Sequence, residues 1–130
     1  MPDQPPVGSV GWVDLTVPDA DSLRDFYSSV VGWQPQPCDM GGYSDYVMCA
    51  PGSGQPVTGV CHARGVNAGL PAVWLVYFNV ADLDASVAEV VSRGGTVVKA
   101  PVAMGPNGRF CIIADPAGAH CALFEPRRPQ

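Results

Sequence analysis

The stretch Gly11-Trp-Val-Asp-Leu-Thr-Val-Pro-Asp19-Ala-Asp-Ser-Leu-Arg-Asp-Phe-Tyr-Ser-Ser-Val-Val-Gly32 has a counterpart 63 residues further along the chain. That shift lays Val17-Pro18-Asp19 on Val80-Ala81-Asp82, Asp21 on Asp84 and Gly32 on Gly95, and it carries Val47 onto Phe110 and Val60 onto Leu123. Identities are few and the match rests on pattern. A unit of about sixty residues used twice decides the fold before any element is placed.

Each copy opens with a β-branched and aromatic run, Gly11–Val17 or Val73–Val80, which reads as a strand. A turn rich in Pro, Asp and Ala follows. Leu23, Phe26, Tyr27, Val30 and Val31 then recur at helical spacing, and Leu83, Val87, Val90 and Val91 do nearly the same. Aspartates beside each start and glycine at each stop (Gly32, Gly94-Gly95) frame the two helices. Three short strands complete each copy: about Gln34–Met40, Asp45–Ala50 and Pro56–His62, then about Thr96–Ala103, Arg109–Ala114 and Cys121–Glu125. The order is βαβββ twice, an α+β fold. Module one spans about residues 8–62 and module two about 72–126 of a single domain covering 1–130. Neither module buries its apolar faces alone, so the expected architecture is an incomplete eight-stranded barrel with helices outside and a ligand cavity inside.

Composition excludes several classes of function. Lys and Arg number 7 against 12 Asp and Glu, a net charge of −5, which offers no footprint for a phosphate backbone, so no nucleic-acid partner is expected. The longest apolar run, Leu70 to Phe78, is far shorter than the roughly 20 residues of a membrane helix. No membrane partner is expected. The first residues lack the basic and apolar regions of a secretory signal, which makes the cytoplasm the default compartment. Five cysteines without a C-x-x-C pair suggest small buried thiols rather than a zinc site or a disulfide framework.

Asp14-Leu15-Thr16-Val17-Pro18-Asp19, Phe26-Tyr27, Val31-Gly32-Trp33, Gly108-Arg109-Phe110 and Asp115-Pro116-Ala117-Gly118, in this order on a duplicated unit, resemble the vicinal oxygen chelate superfamily. That superfamily includes glyoxalase I, extradiol dioxygenases, fosfomycin-resistance enzymes and bleomycin-binding resistance proteins. The resemblance implies metal ligands, His or Glu, on the first and last strands of each module. The corresponding positions here are Trp12, Gly59, Leu75 and Ala122, none of which has a lone pair suited to a divalent ion. No metal and no cofactor are therefore expected.

Strand parity extends the set. If Trp12, Leu75 and Ala122 face the cavity, so do Asp14, Thr16, Tyr77, Asn79, His120 and Phe124, with Val57 and Cys61 beside Gly59. Trp12 reads either as an aromatic wall for a flat or apolar ligand or as a plug filling the barrel. The expected ligand-binding set is Trp12, Asp14, Gly59, Cys61, Leu75, Tyr77, Asn79, His120, Ala122 and Phe124. Asp14, His120 and Cys61 are the residues available for a relocated metal site. Arg109 and Tyr46 are candidates for covering the cavity mouth, His62 reads as a surface histidine, and Glu125 has the wrong parity for a ligand.

These residues fit a metal-independent protein that sequesters a small apolar or aromatic molecule, as the resistance proteins of the superfamily do. The alternative is a metal-independent lyase, isomerase or hydroxylase-like enzyme using His120 and Asp14 as acid and base, and a third reading is a module serving only association with another protein. A homodimer is also expected, with the prolines at 2, 5 and 6 on an extended arm at its interface.

Overall fold

The structure, a computed structural model, describes residues 5–127, apart from the side chain of Val66. Its elements are β1 (Val10–Val17), α1 (Ala20–Val31), β2 (Gln34–Asp39), β3 (Ser44–Cys49), β4 (Pro56–His62), β5 (Trp74–Asn79), α2 (Leu83–Ser92), β6 (Thr96–Ala103), β7 (Gly108–Ala114) and β8 (His120–Pro126). Among the described residues the architecture is α+β, with eight strands and two α-helices, and every strand lies within one residue of its sequence-based bounds. None of the described helices is long and apolar enough to cross a membrane.

The chain divides into two compact units, one running from Val13 to Trp74 and the other joining the segment up to Trp12 with Leu75 onward. In the first, the strand order is β2-β3-β4-β1, with β4 parallel to β1 and the remaining pairs antiparallel. In the second, the order is β5-β8-β7-β6, again with one parallel pair, β5 and β8.

Strand register tests the repeat residue by residue. Asp14 pairs with Gly59 in the first unit and Tyr77 with Ala122 in the second, which are the same positions displaced by 63. The displacement fails at the third strand. Val60 faces Tyr46, whereas Leu123 faces Cys111, so β7 has slipped by two residues relative to β3. Val47 is therefore the counterpart of Ile112, which pairs with Ala122, and not of Phe110. The slip keeps side-chain parity because it is an even number.

Both helices begin alike. Asp19 accepts a hydrogen bond from the Ser22 N–H at 3.1 Å, and Asp82 accepts one from the Ala85 N–H at 3.1 Å. α1 ends on Gly32 at φ 90°, a left-handed cap that a side chain would strain. Leu15, Val17, Ala20, Tyr46, Met48 and Val60 form the first core, with Leu23 and Tyr27 of α1 and the indoles of Trp33 and Trp74 packed against it. Leu83, Cys111, Ile113 and Leu123 form a core of the second unit, with Phe78, Val87 and Val90 packed on it. β2 is an edge strand with prolines at 35 and 37 and no buried residue.

The extended N-terminal arm is not what the described residues form. Pro2 lies outside them, and Pro6 instead opens a tight turn in which its carbonyl accepts hydrogen bonds from the Ser9 amide and hydroxyl. The turn is fastened by bonds of 2.7 Å from the Gly8 N–H to the Asn79 carbonyl and 2.9 Å from the Asn79 N–H to the Ser9 carbonyl.

Candidate functional site

In each unit the helix covers one face of the sheet, so the residues of opposite parity line the other. In the first unit that face carries Asp14, Thr16, Gly59 and Cys61. A Cβ placed on Gly59 would lie 3.3 Å from Asp14 Cβ and 3.7 Å from Cys61 Sγ, which puts the three side by side. Thr16 is buried, and Val57 is exposed at the start of β4.

Burial is the main reason the Cys61 thiol is pushed far above its usual range, and the carboxylates of Asp14 and Asp45 push it the same way. That shift disfavours the thiolate, the form that attacks electrophiles and binds metals.

In the second unit the corresponding face carries Leu75, Tyr77, Asn79, Ala122 and Phe124. Leu75 and Ala122 are buried and Phe124 is half-buried. Phe110, which pairs with Phe124, brings its ring to 6.0 Å from that of Tyr77, and Ile112 pairs with Ala122. These two were missing from the sequence-derived set, although the parity of β7 would have supplied them. His120 is half-buried at the first position of β8, paired in register with Ala114.

Asn79 is buried to 3% exposure, and its side-chain amide donates to the Ser9 hydroxyl at 2.9 Å. That bond gives it a structural use, fastening the N-terminal turn. Trp12 is half-buried in the segment that groups with the second unit.

The positions where a metal would sit do not fit one. Trp12, Gly59, Leu75 and Ala122 offer no donor atom, and among the described residues no three His, Cys, Asp or Glu side chains are grouped to hold an ion. The relocated set of Asp14, His120 and Cys61 accordingly does not appear as such a group.

Three further expectations change. His62 is not a surface histidine, because its side chain is only 11% exposed. Its backbone N–H donates to Asp45 Oδ1 at 2.8 Å, its Nδ1 lies 3.4 Å from the same oxygen, and its Nε2 lies 3.8 Å from Asp21 Oδ1. Tyr43 packs edge-on at 5.3 Å, itself covered by the Arg64 guanidinium at 4.0 Å.

Tyr46 and Arg109 do not cover a cavity mouth. The Tyr46 hydroxyl donates to Asp21 at 2.6 Å and accepts from Arg24 at 2.9 Å, while Arg109 reaches Asp84 at 3.4 Å and Glu125 at 3.1 Å. Both tie a strand to the first turn of the helix above it. Glu125, as its parity implies, lies on the helix side, where it accepts the Leu83 N–H at 2.8 Å. The cysteines are all free, with Cys49 and Cys111 buried, Cys61 and Cys121 half-buried, and Cys38 exposed, contrary to a uniformly buried set.

Two βαβββ units whose strand registers correspond across the repeat define a class of fold, which hosts more than one chemistry. The chain belongs to the Glyoxalase/Bleomycin resistance protein/Dioxygenase superfamily, whose family model matches residues 9–123. It is 35% identical over 126 residues to "Putative glyoxylase CFP32" of Mycobacterium tuberculosis, covering 93% of this chain and 47% of that one. It is 33% identical over 128 residues to "Anthracycline biosynthesis protein DnrV" of Streptomyces peucetius, covering 90% of this chain and 46% of the other. The chain thus spans about half the length of these curated relatives.

Among solved structures, the Mn(II)-bound glyoxalase of Novosphingobium aromaticivorans superposes with a TM-score of 0.58 at 20% identity, covering 95% of this chain and 42% of that one. The methylmalonyl-CoA epimerase of Mycobacterium tuberculosis gives 0.53 at 22% identity, covering 93% and 89%. At these identities the likeness is one of fold.

Proposed function

We propose that the protein is a metal-independent binder of a small apolar or aromatic molecule, holding it on the strand face of the second unit with Tyr77, Ala122 and Phe124 and, from the segment grouped with that unit, Trp12. The observation that supports this most is the joint replacement of donor atoms at four equivalent positions by an indole, a hydrogen, an isobutyl and a methyl group. Those side chains favour dispersion and stacking over coordination. Phe110, itself buried, packs 6.0 Å from the Tyr77 ring and backs it. Relatives named for anthracycline biosynthesis are in keeping with a fused-ring aromatic ligand.

The test is calorimetric titration with an anthracycline, followed by recovery of the compound. Saturable binding, weakened at least tenfold or about 1.4 kcal/mol in Trp12→Ala, with the compound recovered unchanged, is the expected result. A new product that disappears in His120→Ala would replace this reading with the acid-base enzyme. One firmly held transition ion per chain, required for binding or turnover, would end the metal-independent account.

A further inference from the structure

A groove of about 450 Å³ runs beneath α2, on the helix side of the second unit and away from the face carrying Tyr77 and Ala122. Ala85, Ser86, Val90, Ile113, Pro116 and Leu123 line its apolar floor, with Glu89, Arg93 and Asp115 at the rim.

The repeat supplies an internal comparison. The helices align at 63 residues, since Asp19 and Asp82 cap them identically and Ala20 and Leu83 are both wholly buried. At that displacement Ser86 replaces Leu23 and Val90 replaces Tyr27, while the slipped register of β7 puts Ile113 where the first unit has Met48. The two helix substitutions remove volume, while Ile113 is about the size of Met48. In the first unit the space is filled by rings: Tyr27 stacks edge-on to Trp74 at 5.1 Å and lies 6.0 Å from Trp33, and the Trp74 indole donates to the Tyr27 hydroxyl at 3.3 Å. The second unit has Thr96 at the position of Trp33.

The rim determines the charge of an occupant. Arg93 is already paired with Glu89 at 2.8 Å, and Asp115 adds a second carboxylate, whose Oδ1 accepts the Ala117 and Ala119 N–H groups while neither bond uses Oδ2. Two carboxylates against one guanidinium leave a net negative rim over an apolar floor.

From this deficit of rings and this charge we infer that the α2 groove is a second ligand site, which takes a flat aromatic group bearing a basic nitrogen. The ligand ring occupies the space that Tyr27 and its indole neighbours fill in the first unit, and its ammonium lies toward Glu89 and Asp115.

The experiment uses isotope-labelled full-length protein titrated with 1-naphthylmethylamine and, separately, with 1-naphthylacetate, following backbone amide shifts. The amine is expected to produce saturable shifts at Ala85, Ser86, Val90 and Ile113, and the acetate to bind at least fivefold more weakly. Importing the first unit's residues with Ser86→Leu and Val90→Tyr should abolish the amine response. Glu89→Gln, a surface change that leaves the floor intact, should bring amine affinity toward that of the acetate. Absence of saturable shifts at those four amides, an unchanged response in the filled variant, or equal binding of amine and acetate in the wild type would each overturn the assignment.

Discussion

Cys61 and His62 are adjacent in β4, and their surroundings oppose what each side chain does in water. The thiol is desolvated beside Asp14 and Asp45, so its thiolate is disfavoured twice. Alkylation by iodoacetamide at pH 8 is expected to modify exposed Cys38 at least tenfold faster than Cys61 in the native protein, with the two rates converging in denaturant; mass spectrometry of the peptides measures both. His62 is enclosed because the last residue of β4 meets the first turn of α1, so that Asp21 and Asp45 flank its ring. Parity puts His62 on the helix side with Val60, but it does not show that the first turn of α1 reaches the strand end and covers the ring. Gly95 marks another position set by close approach. A Cβ there would lie 2.8 Å from Val90 Cγ1 and 3.0 Å from the Ala114 carbonyl oxygen, so only glycine lets the chain pass between α2 and β7.

At the scale of elements, each helix is fastened to its sheet through the aspartate two residues beyond its cap. Asp21 accepts the Tyr46 hydroxyl, and Asp84 pairs with Arg109, so equivalent aspartates are served by different chemistry from strand positions that the slip of β7 leaves two residues out of register. Accepting that hydrogen bond, Asp21 is the leading reason the Tyr46 phenol titrates above its ordinary value. Tyr46 is 8% exposed, and Tyr46→Phe leaves the ring in place while removing its bonds to Asp21 and Arg24. The expected cost is about 0.5–1.5 kcal/mol in urea denaturation with an unchanged m-value. A loss below experimental error would mean the tie contributes nothing. The strands and helices were legible from period and caps because the apolar positions and the Asp and Gly signals agree at each boundary. The two-residue slip of β7 was not, since the match there rested on single apolar residues that any even displacement satisfies. The α2 groove was not legible either: the 63-residue shift sets Ser86 and Val90 against Leu23 and Tyr27, but only the packed helix shows that the smaller pair leaves open space.

For the whole molecule, acid is the informative variable. The Glu125 carboxyl is held below its ordinary range, first by the Leu83 N–H and then by Arg109. A depressed folded-state value means the stabilisation is present above the unfolded carboxyl's value of about 4.3 and is lost as the pH falls through the lower folded one. Melting temperature should therefore drop on acidification below about pH 4.5, and Glu125→Gln, which keeps an oxygen for the Leu83 N–H but cannot ionise, should show a shallower drop than the wild type. Parallel curves for the two proteins from pH 6 to pH 3 would refute a role for this carboxylate. The sequence pI of about 4.6 lies in the same interval, so such melts belong at low protein concentration, where loss of net charge does not precipitate the sample.

The border strand β2 carries Pro35 and Pro37, two residues apart and so on the same side of its backbone, and proline has no amide hydrogen to donate. A foreign strand approaching along that border meets missing donors at every second residue, which blocks the zipper-like growth that a bare, flat margin invites. Copies of the chain that meet in solution must therefore do so through side chains rather than by lengthening the sheet at β2.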